Sequence, residues 1–234
     1  MILWICLTFL VGSFAGVLGK RYGIAYPTSL VAALVVMANI FANKIVQFGP
    51  FTVPAGVIVF SMSFFITDLI CEKWSKKDAE NAVWAGFFSS LVFVLSAYIV
   101  TNWQPAAYST DISSMFSQVL ALTPRITIAG FIAYLISQHH DIWAFHTLKK
   151  KTLGRHLWLR NTLSTVTSQF IDSIIFITIA FYGIYPLMPL ILGQWAVKVL
   201  IAVIDTPFMY AAIWMMDKVP GKMSETISKH KTQR

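Results

Sequence analysis

The sequence predicts an all-α fold, a polytopic bundle of about seven transmembrane helices in one domain. Three observations predict it. First, 57% of the 234 residues are hydrophobic and only 12% are charged, about half the charged share of a soluble domain, and mean hydropathy is +0.68. Second, seven apolar stretches each suffice to cross about 30 Å of hydrocarbon at roughly 1.5 Å per helical residue. Third, the basic residues gather in alternate connecting segments. The apolar runs are continuous rather than alternating, and lipid requires backbone groups to be satisfied within the segment, so the stretches read as helices. Cys6 and Cys71 both lie in apolar stretches, which excludes a disulfide framework.

The spans fall at 2–18, 24–48, 51–71, 82–101, 118–138, 161–183 and 187–216. Span one has no basic residue ahead of it, whereas Lys20 and Arg21 follow directly; residues 1–20 therefore read as an uncleaved helix added to a core at 24–216. Span two places Asn39, Asn43 and Gln47 four apart on one face, with Ala38 and Ala42 as a small pair suited to a partner helix. Lys44 lies near the outer end of that span and can snorkel. Span three ends with Asp68 and Glu72 one turn apart, and Glu72 is expected to pair with Lys76 four residues on. Span four, 82–101, is uniformly apolar apart from small hydroxyls. Span five carries Arg125 after Pro124 and runs into His139, His140, Asp141 and His146. In span six, Asn161, Thr165, Ser168, Gln169 and Asp172 recur at helical spacing as one polar stripe. Span seven repeats the pattern with Gln194, Lys198 and Asp205, and Trp195 stands beside them. Pro207 withdraws the hydrogen bond owed to the Val203 carbonyl, leaving an inward acceptor or a kink.

Fifteen of the eighteen basic residues lie after span one, after span three, between spans five and six, or in the tail at 217–234. The positive-inside rule then sets the amino terminus outside and the carboxyl terminus in the cytoplasm of a bacterial inner membrane. The net charge of +8 thus reflects orientation and contact with anionic lipid, not nucleic acid.

Ionisable groups deep in a bilayer are informative because each costs several kcal/mol unless paired or wetted. Asp172 and Lys198 both fall near the midplane by helical rise and can meet. Such a pair either fixes helix packing alone or borders a polar cavity for a solute. Arg125 can hold a carbonyl-bearing solute or a carboxylate. The histidine cluster admits a metal or acyltransferase reading, but no HExxH pattern and no phosphate-cradling glycine loop is present. A hydrated helix end explains it more simply, and neither a cofactor nor a resident metal is expected.

Four blocks carry a family resemblance: VPAGVIVFSMSFFITDLICEKWSKKDAENAVWAGF from Val53, PRITIAGFIAYLISQHHDIWAF from Pro124, RNTLSTVTSQFIDSIIFITIAF from Arg160 and VKVLIAVIDTPFMY from Val197. Together they resemble the queuosine precursor transporters, or vitamin-uptake-transporter-like proteins. The resemblance implies a six-helix core similar to the substrate-binding components of energy-coupling-factor transporters. It also implies import of 7-deazaguanine compounds: the cyano or aminomethyl precursors of queuosine, or queuine. Span one is an addition to that core, and Ser75 stands where the family often has glycine. A 7-deazaguanine offers adjacent N–H donors and a carbonyl, which suit a carboxylate fork and a cation or amide. Asp172 is then the expected carboxylate, with Gln169, Asn43 and Asn39 as amide contacts, Lys198 or Arg125 on the carbonyl, and Trp195 stacked on the ring. Asp68 is a second carboxylate, for substrate or for an inner gate. The expected partners are this small molecule, the lipid bilayer, and an energising ATPase module or a second copy. The alternatives are a binding subunit of an ATP-driven vitamin-type system and a membrane enzyme using His139, His140 and His146.

Overall fold

The computed structural model describes residues 2–42, 44–121, 124–183 and 186–220. Eight helices are present among them: α1 Ile2–Tyr22, α2 Ala25–Phe41, α3 Val57–Lys73, α4 Lys76–Thr101, α5 Thr110–Ala121, α6 Pro124–Lys151, α7 Leu157–Phe181 and α8 Leu187–Lys218. Of these, α1, α4, α7 and α8 are long and apolar enough to cross a membrane. The shorter α2 and the polar-bearing α3 and α6 pack among them. Helices α1, α4, α6, α7 and α8 bury one face and expose large apolar side chains on the other, such as Leu10, Phe88, Leu95, Ile136, Leu163 and Leu200, whereas α3 is buried on nearly all sides. That is the inverse of a soluble protein and fits a lipid-facing belt.

The helix expected over 24–48 ends at Phe41, and the chain continues as a hairpin of β1 Ile45–Phe48 and β2 Phe51–Pro54. The two strands are antiparallel, with Phe48 opposite Phe51 and Ile45 opposite Pro54. The reason is local: β-branched and aromatic residues flank Gly49-Pro50, and Gly49 adopts φ +59°, a value suited to a glycine-first hairpin turn. The shared amide face of Asn39, Asn43 and Gln47 is therefore lost. Gln47 is exposed on β1, and Asn43 lies outside the described residues.

Span five also differs. Its start belongs to α5, whose apolar residues Ile112, Met115, Phe116 and Val119 share one exposed face, the pattern of a helix lying along an interface. The rest of the stretch is α6, which runs past the expected end at residue 138 to Lys151.

Added helix α1 is integral to the bundle. Phe9 is fully buried, edge-on to Phe65 at 5.2 Å. Gly12 and Gly16 lie so near Met62 and Leu69 of α3 that a Cβ would crowd them. Ser75 begins α4 as its N-cap: its Oγ accepts from the Asp78 amide at 3.1 Å, and its backbone is extended at φ −144°. No left-handed residue is needed there, so serine sits without strain and supplies a cap. The Trp74-Ser75 break also separates Glu72 from Lys76. They sit on different helices, so the i, i+4 rule does not apply; Lys76 pairs with Glu80 at 3.0 Å instead. α8 continues as helix through Pro207, with Val203 on the exposed face.

Candidate functional site

The polar stripes of α7 and α8 are buried and face each other, as their spacing predicts. Asn161, Thr165, Ser168, Gln169 and Asp172 are all interior on α7, and Gln194, Lys198 and Asp205 on α8. The helices are antiparallel. Asp172 therefore meets Lys198, and Asn161, eleven residues earlier on α7, meets Asp205, seven residues later on α8, roughly 10–17 Å away by helical rise. The stripes thus define two polar layers.

The first layer borders a hollow of about 560 Å³, its open mouth included. Helix α2 supplies Asn39, the α3 start Gly56 and Phe60, α6 Phe131 and Tyr134, α7 Asp172 and Phe176, and α8 Gln194 and Lys198. The Lys198 ammonium donates to Asp172 Oδ2 and lies 4.9 Å from the Phe60 ring centroid, over its face. Ser137 Oγ donates to Asp172 Oδ1 at 3.1 Å. A carboxylate accepts about four bonds, so this one keeps acceptor capacity toward the hollow. Gln194 Oε1 is buried with no donor, in the wall of the same hollow. Asn39 Nδ2 donates to Ser90 at 3.1 Å. Tyr134 is held by its hydroxyl on the Val83 carbonyl at 3.2 Å and lies edge-on to Phe60. Gly56 permits the close approach that shapes the mouth, because a Cβ there would lie 2.5 Å from the Ala38 carbonyl oxygen. Ala38 and Ala42 therefore pack against α3 and line the hollow; their small face is used within the chain.

The second layer lies toward the end of the bundle that carries Lys73, Lys149 and Arg160. Asp68, Asp141 and Asp205 are fully buried there and within electrostatic reach of one another. Asn161 Nδ2 donates to Asp205 at 2.9 Å and Thr165 to Asp68 at 3.3 Å. The layer is closed off by Glu72, which pairs with Arg160 at 2.7 Å and Lys149 at 3.1 Å. Arg160, counted above as a loop cation, is 1% exposed. It also donates to the Gly154 and Arg155 carbonyls.

Of the expected site residues, Asn39, Asp172 and Lys198 come together at the hollow. Among the described residues, the others do not line it. Gln169 is interior, one turn from Asp172, with neither amide atom hydrogen-bonded. Trp195 points away: its indole donates to the Val166 carbonyl at 3.1 Å and its ring packs on Phe170. Arg125 is exposed and caps the end of α7 through the Ile179 and Tyr182 carbonyls at 2.5 and 2.9 Å. Asp68 belongs to the second layer. The histidines diverge: His139 bonds the Leu135 carbonyl and His140 the Ser168 hydroxyl. Among the described residues, no group of three His, Cys, Asp or Glu side chains is placed to hold a metal. Gln194, Phe60, Phe131, Tyr134 and Phe176 were not singled out for the site. Gln194 carried a signal in its helical spacing to Lys198, whereas the aromatics look like any apolar residue of a membrane helix.

A family model described as "Putative vitamin uptake transporter" matches residues 54–212. A Bacillus subtilis protein named "Probable queuosine precursor transporter" is 32% identical over 182 residues, 76% of this chain and 79% of its own length. The Escherichia coli "Queuosine precursor transporter" is 25% identical over 84% of this chain and 89% of its own. A Haemophilus influenzae protein named as a probable queuosine precursor transporter is 26% identical over 54% of this chain and 51% of its own. No solved structure matches. The family match takes in the hairpin's end, the paired stripes and most of the hollow's wall, and with it this chain belongs to the vitamin uptake transporter family of multi-pass membrane proteins.

Proposed function

We propose that this protein imports 7-deazaguanine precursors of queuosine across a bacterial inner membrane, with the base seated in the hollow at Asp172 and Lys198. The observation that carries the reading is chemical. The wall presents a carboxylate with spare acceptor capacity and an unpaired buried amide carbonyl, Gln194 Oε1, beside an ammonium. A guanine-like edge matches that set: adjacent N–H donors for Asp172 and Gln194, and a carbonyl for Lys198. The flat ring is accommodated by Phe60, Phe131, Tyr134 and Phe176, which take the stacking role first given to Trp195. Asn39 contributes a polar atom at the opposite wall. The relatives' names, which speak of queuosine precursors, support the substrate class.

The orientation proposed from the basic residues, amino terminus outside and carboxyl terminus cytoplasmic, puts the hairpin and hollow on the outer side and the Glu72 cluster on the inner side. The chain then acts as one transmembrane domain, α1 included. A strain unable to make queuosine precursors, expressing this protein and supplied with each precursor in turn, tests the function. Restored queuosine in transfer RNA at low external concentration is expected for at least one precursor; no restoration with any of them, from a protein shown to be inserted, rejects it.

A further inference from the structure

Every atom left without a hydrogen bond among the carboxylates and amide of the second layer is an acceptor. Asp141 Oδ1 and Oδ2, Asp68 Oδ1 and Asn161 Oδ1 are buried with no donor assigned to them, and the Asp68 and Asp141 carboxyls lie within hydrogen-bonding reach of each other. Asn161 is not an acid; its amide is anchored on Asp205 by Nδ2, so its carbonyl is a separate request for a donor at the same place. The hydroxyls facing Asp141, from Ser164 and Ser168, spend their protons on the Asn161 and Ser164 backbone carbonyls. The cations nearby serve Glu72 in the first place: Arg160 and Lys149 both pair with it, and Lys149 also donates to the Cys71 and Glu72 carbonyls, while Arg160 Nε is buried without a partner and does not reach the three aspartates. His140 faces the layer through Ser168, and Cys71 contributes no positive charge. Three dry carboxylates in mutual reach cannot all carry charge without a counter-ion. The missing component is a donor of minimal size.

We propose that Asp68, Asp141 and Asp205 form a proton site that couples solute entry to the proton gradient. The proton arrives on the Asp141 carboxyl from the outer side, is shared with Asp68, and leaves from the same carboxyls to the cytoplasm. No bond to the solute forms or breaks. The two sites are linked because they share helices. On α6, Ser137 binds Asp172 while Gln138, one residue on, binds Ser63 and accepts from Thr67, one turn before Asp141. On α7 and α8, the residues of both layers sit on single rigid stripes. A movement of α6 against α7 that closes the hollow must also change the surroundings of Asp141.

The uptake arm of the test rests on the transport reading above; a second arm does not. In the first, full-length protein is reconstituted in proteoliposomes with the membrane potential clamped, and labelled 7-cyano-7-deazaguanine is the probe. With one proton per solute, an inside-alkaline gradient of one pH unit drives about tenfold accumulation. The Asp141→Asn variant should still exchange labelled for unlabelled probe but accumulate none. Exchange by the wild type with no response to the gradient overturns the proposal, as does full accumulation by the variant. In the second arm, infrared difference spectra of the detergent-solubilised protein report the carbonyl stretch of protonated carboxyls. A band persisting at neutral pH and diminished in Asp141→Asn and Asp205→Asn is expected. Its absence from the wild type overturns the proton site whatever the substrate proves to be. If neither wild type nor variant exchanges the probe, the substrate reading fails and the infrared arm decides the proton site alone.

Discussion

Replacing Asp172 separates a binding role from a packing role, provided both charges of its pair are changed in turn. Asp172→Ala leaves the Lys198 ammonium buried with only the Phe60 ring face for compensation. Removing one partner of a buried ion pair costs about 3–5 kcal/mol, so the single variant should be inserted but markedly less heat-stable. It also removes the fork for the solute. Each hydrogen bond to a charged group is worth about 1.5–3 kcal/mol, so losing two weakens binding by a hundredfold or more, at about 1.4 kcal/mol per tenfold. Asp172→Ala combined with Lys198→Met removes the stranded charge, and stability should largely return, because apolar replacement of a whole buried pair is often neutral. Binding should not return. The assay is equilibrium binding of 7-cyano-7-deazaguanine to purified protein, beside a thermal unfolding scan of each variant. If the double variant recovers affinity along with stability, the pair only holds helices together and the solute site lies elsewhere.

Three further outcomes follow from the geometry. Gln194→Leu deletes a buried acceptor that has no donor in the empty site; unfolding temperature should hold or rise, while affinity falls by about two- to tenfold, the worth of one neutral hydrogen bond. Gly56→Ala forces a Cβ onto the Ala38 carbonyl oxygen and should cost about 1–3 kcal/mol, whereas Gly193→Ala, whose new Cβ meets only Phe51 at 3.7 Å, should be neutral or stabilising; thermal scans of the two variants decide. Glu72→Gln takes the counter-charge from Arg160 and Lys149 and should lower stability by about 3 kcal/mol, with salt affecting the wild type little because Arg160 is buried; an unchanged unfolding temperature would show the cluster to be dispensable.

What the sequence made legible follows from how narrowly lipid constrains a chain. The α7 and α8 stripes were readable because a polar residue at mid-bilayer must face inward and helical spacing then fixes its neighbours. Asp172, Lys198 and Gln194 are accordingly where periodicity puts them. Three features broke that logic, each for a stated reason. The hairpin at Ile45–Pro54 reads as apolar helix by hydropathy, because burial beside a cavity and burial in lipid demand the same residue types; only Gly49-Pro50 distinguished it. Arg125 and Trp195 lay at suitable depth but on the wrong face, and depth alone does not set rotation about a helix axis. Glu72 found Arg160, 88 residues away in sequence, because a break at Trp74-Ser75 removed its local partner. Spacing rules hold only within an unbroken helix, and long-range ionic partners leave no trace in spacing at all.

The distribution of polar bonds along the bundle bears on how an importer built this way must move. At the hairpin end the hollow is bounded by apolar rings, small residues and a two-stranded ribbon, and the approach of α3 to α2 there rests on Gly56 and Ala38. At the opposite end four helices are tied by charge: Glu72 of α3 to Lys149 of α6 and Arg160 of α7, and Lys73 of α3 to Asp217 of α8 at 2.5 Å. Opening toward that end requires parting Glu72 from at least one cation, which is costly for Arg160 because it is dry and cheap for Lys73–Asp217 because Asp217 is exposed. Helix α3 is common to all of these pairs and also carries Asp68. A shift of α3 relative to α6 and α7 is therefore a movement that would at once loosen the charged end, expose the acid layer and reshape the floor of the hollow.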